Sequence, residues 1–183
     1  FTNGRPTTFP AIEYGAWLGA SLQTPLRLVG VDENPSPSQI DEDVHPLEPI
    51  FEKAVESFVK AGVEYHLEVQ QGHAEEVIPR RVKGQDALVV VGPLGRPPLK
   101  RLRSGRSFRH IMGEVASPIV YVPQAKLPLK KMLVCLGGLG YEVTAETLAM
   151  KLAAIARADV VLLTVVPSVD LDYPQARVVR ENW

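Results

Sequence analysis

The sequence predicts an α/β protein built on a parallel sheet with right-handed crossovers. Three observations carry this. Strand-length apolar segments alternate with helix-period segments along the chain, the pattern of parallel strands joined by right-handed crossovers. One strand segment, Ala87-Leu88-Val89-Val90-Val91, is apolar throughout, as a strand buried on both faces must be. After a short Pro-containing linker at Gln124 to Pro128, the order of elements starts again.

The elements follow in order. Residues 10–22 read as a helix with Ile12, Ala16, Gly19 and Ala20 on one side, and Leu26 to Val31 as a strand. Residues 32–45 form a Pro-, Ser- and Asp-rich loop. Pro46 suits the first turn of a helix in which Leu47, Phe51, Ala54, Phe58 and Ala61 make one apolar stripe, and Gly62 suits its end. Val63 to Gln70 alternates strictly, with Val63, Tyr65, Leu67 and Val69 set against Glu64, His66, Glu68 and Gln70, which predicts a half-solvated edge strand. Residues 73–83 read as a short helix broken near Pro79, 106–114 as a helix, and Pro118 to Val122 as a strand.

The restart comprises an apolar strand from Met132 to Leu136, a Gly137-Gly138 turn, a helix over 143–157 and a strand from Val160 to Val166. In that helix Leu148, Leu152, Ile155 and Ala156 are expected to face inward. One constant offset pairs Gly4 with Gly138, Ala11 with Ala145, Leu18 with Leu152, Ala20 with Ala154, Leu28 with Leu162 and Val31 with Val165. Turn, helix and strand agree together, which points to internal duplication.

Composition narrows the function classes. A formal net charge of −1 gives no polybasic signal for nucleic acid or an anionic membrane. No apolar run approaches the roughly 18 residues of a membrane span, and the opening residues carry no signal-peptide pattern. The single cysteine, Cys135, cannot form an internal disulfide, which fits a reducing compartment, and its apolar run predicts a strand core. There is no G-x4-G-K-[ST] motif and no G-x-G-x-x-G motif. His45, His66, His73 and His110 lack metal-ligand spacing, and His66 falls on the polar side of its strand. Asp41-Glu42-Asp43 reads as a solvated acidic loop.

The segment with chemical content starts at Val89-Val90-Val91-Gly92-Pro93-Leu94-Gly95 and continues through Lys100, Arg101 and Arg103 to Gly105-Arg106-Ser107, with Arg109 beyond. A buried strand running into spaced glycines brings bare main-chain N–H groups together, a natural anion site. Gly92-x2-Gly95-x9-Gly105, placed between that strand and the Pro118 to Val122 strand, resembles the glycine loop of the universal stress protein family. Its nucleotide-binding members carry G-x2-G-x9-G-(S/T). Asn3-Gly4-Arg5 is similar to the family's D-G-S turn, and the stretch from Gly72 and Ala74 to Gly92 to its third helix and fourth strand.

The resemblance implies an open five-stranded parallel sheet of order 3-2-1-4-5 with helices on both faces, adenine-nucleotide alpha-hydrolase-like. Residues 1–123 would form the first universal-stress-type domain, 124–130 a linker and 131–183 a partial second domain, as in tandem members. Only the end of the first strand is then present; residues ahead of Phe1 are expected to supply the rest, or Met132 to Leu136 of the second copy would.

The family also implies a cytoplasmic regulatory protein that binds ATP or AMP, with Mg2+ alongside ATP and at most weak ATPase activity. Its alternative is a non-binding signalling scaffold acting through protein contacts, by pairing of the two copies or as a homodimer. A regulatory domain of a membrane transporter is a further form. Carried over residue by residue, the nucleotide-binding positions are Asn3, Val31, Gly92, Gly95, Gly105, Arg106 and Ser107. Asn3 stands where the family has Asp, and its neutral amide both donates and accepts. Arg106 stands where a hydroxyl would meet phosphate, with Ser107 one place later; Pro93 removes one N–H from the loop. In the second copy Gly137-Gly138-Leu139 replaces D-G-S and no phosphate loop follows.

Overall fold

The computed structural model describes residues 1–33, 47–95, 108–136 and 143–164. The chain divides into two units, Phe1–Leu127 and Pro128–Trp183. In the first unit a 3-10 turn at Pro6–Thr8 leads into α1 (Phe9–Leu22), β1 (Leu26–Asp32), α2 (Glu48–Ala61), β2 (Tyr65–Gln71), α3 (Ala74–Val82), β3 (Val89–Val91), α4 (Phe108–Glu114) and β4 (Ile119–Tyr121). The second unit holds β5 (Lys131–Leu136), α5 (Val143–Ala156) and β6 (Asp159–Thr164).

Each strand pair is parallel, and the regular ladders make three two-stranded sheets, β1–β2, β3–β4 and β5–β6. They do not form the single five-stranded ladder expected from the sequence. The place of a first strand is held by two residues. Thr2 bridges Gly30 on the edge of β1 away from β2. Its N–H donates to Val29 (3.0 Å) and its carbonyl accepts from Val31 (2.7 Å). On the other side the Phe1 amino group donates to the Val90 carbonyl at 3.1 Å.

Helices cover both faces of this arrangement because successive strand residues point to opposite sides. Leu28 packs with Ile12 and Ala16 of α1 and with Ile50, Ala54 and Phe58 of α2. Val31, Val89 and Val91 pack with Val77, Ile78 and Val82 of α3 and with Ile111 of α4. The α2 stripe is buried as the sequence implies, although Ile50 takes part and Phe51 and Ala61 are half-buried. Gly62 adopts φ 67° and ends the helix with its N–H on Val59 (3.0 Å), while the Val63 N–H reaches Phe58 (3.1 Å).

Three expectations need correction. First, α3 continues through Pro79. Pro79 removes one N–H, but Val77, Ile78 and Val82 are sealed in the core on either side, and that burial outweighs one lost helix bond. Second, β2 is an edge strand, yet Leu67 and Val69 remain exposed at 41% and 50%. The acidic side chain on its other face, Glu68, is instead tied to Arg81 of α3 by two bonds of 2.8 Å. This hydrogen bond holds the Glu68 carboxyl below its ordinary pKa. Third, Cys135 and Ile155 are exposed, and Ala153 accompanies Leu152 in the buried contact of α5.

Some element bounds in the two units differ by one constant number of residues. A shift of 134 carries Gly4 onto Gly138, and it also carries α1 (Phe9–Leu22) onto α5 (Val143–Ala156) end to end. Both helices stop on a left-handed residue, Gln23 (φ 52°) and Arg157 (φ 51°). The following N–H groups close the same way, Thr24 on Gly19 (3.0 Å) and Ala158 on Ala153 (2.9 Å). The bridge between Thr2 and Gly30 has its counterpart in the pairing of Leu136 with Thr164. Gly138 and Val165 themselves lie outside the described residues, as do Asp41-Glu42-Asp43 and Gly137-Gly138-Leu139.

Ile78 is fully buried where α3 meets the strands and α4. Ile78→Ala is expected to destabilise the chain by about 2–5 kcal/mol, whereas Val59→Ala, on the solvent side of α2, should change stability by no more than about 0.5 kcal/mol. Urea unfolding followed by circular dichroism measures both.

Candidate functional site

The carboxyl ends of β1 and β3 lie on either side of Phe1–Thr2, and the chain leaves both strands into loops there. In open α/β sheets the carboxyl end of the strands is where ligands bind, because loops and helix starts converge there. The turn after β3, Gly92-Pro93-Leu94-Gly95, is fixed by side chains from the turn before α1. The Asn3 amide Nδ2 donates to the Leu94 carbonyl (2.9 Å), Arg5 Nη1 to Gly95 (2.7 Å) and Thr7 Oγ1 to Pro93 (3.0 Å). Three consecutive carbonyls are thus held by three side chains from one short segment.

That segment is itself stiff. Thr2 and Thr8 hydroxyls meet at 2.6 Å in a buried contact, and Thr8 Oγ1 also donates to the Arg5 carbonyl at 2.7 Å. The Arg5 N–H reaches Asn3 Oδ1 at 3.4 Å and the Gly4 N–H reaches Thr2 Oγ1 at 3.3 Å, closing a local turn. Gly4 (φ 78°) and Gly95 (φ 60°) supply the left-handed conformations.

The glycines are also required by space. A Cβ on Gly95 would lie 2.5 Å from Thr7 Oγ1, and one on Gly92 would lie 3.1 Å from the Thr8 Cα. The glycine turn therefore packs directly on the start of α1. The backbone approaches so closely that no side chain fits between.

The structure brings together Asn3, Gly92 and Gly95 of the expected site residues. Val31 stands on β1 beside them, but the residue is 1% exposed, its side chain is packed with α3 and β3, and its N–H is bonded to the Thr2 carbonyl. Gly105, Arg106 and Ser107 lie outside the described residues, together with Lys100, Arg101 and Arg103. Sequence reasoning named Arg5 only as part of the Asn3-Gly4-Arg5 turn and passed over Thr7. Their signal was positional: a cation and a hydroxyl directly after the Asn3-Gly4 turn.

A cleft of about 1000 Å3 lies elsewhere, lined by Glu76, Arg80 and Asp86 among others and by Ser117-Pro118. It sits at the amino ends of β3 and β4, the end that open α/β sheets do not use for ligands. Among the described residues no cluster of His, Cys, Asp or Glu could hold a metal ion, and no helix is long and apolar enough to cross a membrane.

No protein-family model matches the chain, and no curated protein matches it. Among solved structures, a universal stress protein crystallised in complex with cAMP is similar to it, with a TM-score of 0.52 and 16% sequence identity. The match covers 68% of this chain and 94% of that one. At this identity the likeness shows the fold, a universal-stress-type α/β arrangement.

Gly95 is held by both conformation and contact, which a double substitution separates. Gly95→Ala is expected to cost about 1–2 kcal/mol, and adding Thr7→Ala should relieve the contact and leave only the positive-φ penalty. Denaturant midpoints of the two single variants and the double variant give the coupling.

Proposed function

We propose that the chain is a universal-stress-type regulatory module whose candidate site takes an adenine nucleotide. The observation that carries the reading is the latched Asn3–Thr7 and Gly92–Gly95 pair of turns at the carboxyl ends of β1 and β3. The fold likeness supports it, because the similar universal stress protein was solved with cAMP bound. In this reading Asn3 faces the base, the Val31 main chain lies beside it, and Gly92 and Gly95 bring main-chain groups close to phosphate. Gly105, Arg106 and Ser107 complete the phosphate contacts, and Arg5 adds a cation at the same turn. Mg2+ would accompany ATP and would be dispensable for AMP or cAMP. A hydrolytic step would need a positioned base for water, and among the described residues none near the turn is assigned that part. The module therefore acts by binding, with a cytoplasmic setting and a second universal-stress-type copy in Pro128–Trp183 as parts of the same proposal.

One observation favours a second reading, a scaffold that works without nucleotide. The Asn3 amide and the Arg5 guanidinium already bind carbonyls of the turn, so the turn is held without a ligand.

Calorimetry and thermal unfolding with AMP, cAMP and ATP, with and without Mg2+, separate the two. Ligand at about 100 times its dissociation constant should stabilise the chain by about 2.7 kcal/mol. Gly95→Val should abolish this shift while the far-ultraviolet spectrum is kept. Absence of any shift with all three nucleotides would leave the scaffold.

A further inference from the structure

The β1–β2 ladder ends at β2, whose far side pairs with no strand among the described residues. The Leu26 N–H donates to the Glu64 carbonyl (2.8 Å) and the Gly72 N–H to the Asp32 carbonyl (3.0 Å), so the main-chain groups of His66, Glu68 and Gln70 turn to β1. Those of Tyr65, Leu67, Val69 and Gln71 turn to the open edge. The same alternation sends the side chains of Leu67 and Val69 to the face that carries α2.

The helix leaves that face half covered. Gly30 of β1 has no side chain, and a Cβ there would lie 2.7 Å from the Phe51 ring and 2.9 Å from Leu47. Thus α2 settles over β1. Leu67 and Val69 are left exposed in a groove of about 790 Å3 between α2 and β2, with Phe51 and Val55 as its other apolar wall. Proteins ordinarily guard such an edge with a charge or a proline. Tyr65, Leu67, Val69 and Gln71 include neither.

The groove carries charge of one sign. Glu48, Glu52 and Glu56 line it from α2, all three exposed, and no lysine or arginine lines it. Among the described residues none of the three is in an ion pair. Helical rise spaces them about 6 Å apart, and every second residue of an extended strand recurs at about 6.6 Å. The row therefore repeats at nearly the period of a strand laid along β2.

We propose that the free edge of β2 is a docking site for an extended peptide of another protein with Lys or Arg at every second position. Its main chain pairs with the open N–H and carbonyl groups of Leu67 and Val69. Its basic side chains turn to the groove, where their methylene stems lie on Leu67, Val69 and Val55 and their charged ends reach the glutamate row. The intervening side chains fall on the opposite face, beside Glu68, whose charge Arg81 already meets through two bonds of 2.8 Å. A second copy of this chain is the poorer occupant, because antiparallel pairing of β2 with β2 brings two glutamate rows to one face of a sheet. The proposed nucleotide site plays no part in this docking.

The probe is the acetylated amide Lys-Thr-Lys-Thr-Lys-Thr-Lys, titrated into the full chain, with Lys-Lys-Lys-Lys-Thr-Thr-Thr as a control of the same composition. Hydrogen exchange of the Leu67 and Val69 amides should slow by about 10-fold or more with the alternating peptide and stay unchanged with the block peptide. The triple variant Glu48→Gln, Glu52→Gln, Glu56→Gln should bind the alternating peptide about 10-fold more weakly, since three exposed ion pairs each contribute a few-fold. Val69→Pro removes an N–H that β1 does not use, and it should weaken binding with the glutamate row intact. Unchanged exchange at millimolar alternating peptide, or equal protection by the block peptide, would overturn the docking site. Undiminished binding in the triple variant would overturn the basic occupant. Protection that rises with protein concentration in the absence of peptide would assign the edge to a second copy instead.

Discussion

The first unit depends on main-chain pairing at Phe1 and Thr2. Among the described residues, main-chain hydrogen bonds join the β1–β2 pair to the β3–β4 pair only here, through Val29, Val31 and Val90. These bonds set β1 and β3 one strand apart. The helix layers follow from that spacing: α1 contacts β1, α2 and β3, and α3 packs on α4 across the opposite face. The candidate site follows as well. The turn after Thr2 can reach the turn after Val91 only because both leave neighbouring positions at the same end of the strands. Sheet pairing, helix cover and site geometry are thus one constraint seen at three scales.

Much of the fold was legible because it rests on local periodicity. The α2 stripe, the left-handed stop at Gly62 and the two apolar strands of each unit are written in residue spacing. The constant offset is a feature of the sequence, and the bounds of α1 and α5 differ by the same 134 residues. Exposure was less legible. Spacing tells which residues share a face, while burial depends on whether a second layer covers that face. In the second unit α5 packs on one side of β5–β6, and Leu133, Cys135, Val161 and Leu163 share the other, where they are exposed. Cys135 looked like core because its neighbours are apolar, and it lies on the uncovered side. Pro79 failed as a helix break for a related reason: tertiary burial of Val77, Ile78 and Val82 overrides a local rule.

The site was half legible. Gly92 and Gly95 were evident from their place after a buried strand. Arg5 and Thr7 were not, because their partners are 90 and 86 residues away and a carbonyl acceptor leaves no trace in side-chain identity. A sequence shows donors in search of acceptors only when the acceptor is also a side chain. Close backbone packing is equally silent, since the reason Gly95 must be glycine is the Thr7 hydroxyl against it.

The latch also explains why an amide at position 3 suits this turn. Asn3 donates to the Leu94 carbonyl, whereas an ionised carboxylate there has no hydrogen to give and would face that carbonyl with like partial charge. The neutral residue at position 3 and the bent Leu94-Gly95 turn are therefore one coupled feature. An amide carries two N–H groups, and the bond to Leu94 uses one of them. The Asn3 side chain is thereby oriented by the protein itself. A carboxylate's charge is absent from this turn, and its rigidity comes from the same three carbonyl contacts that hold the glycine turn against α1.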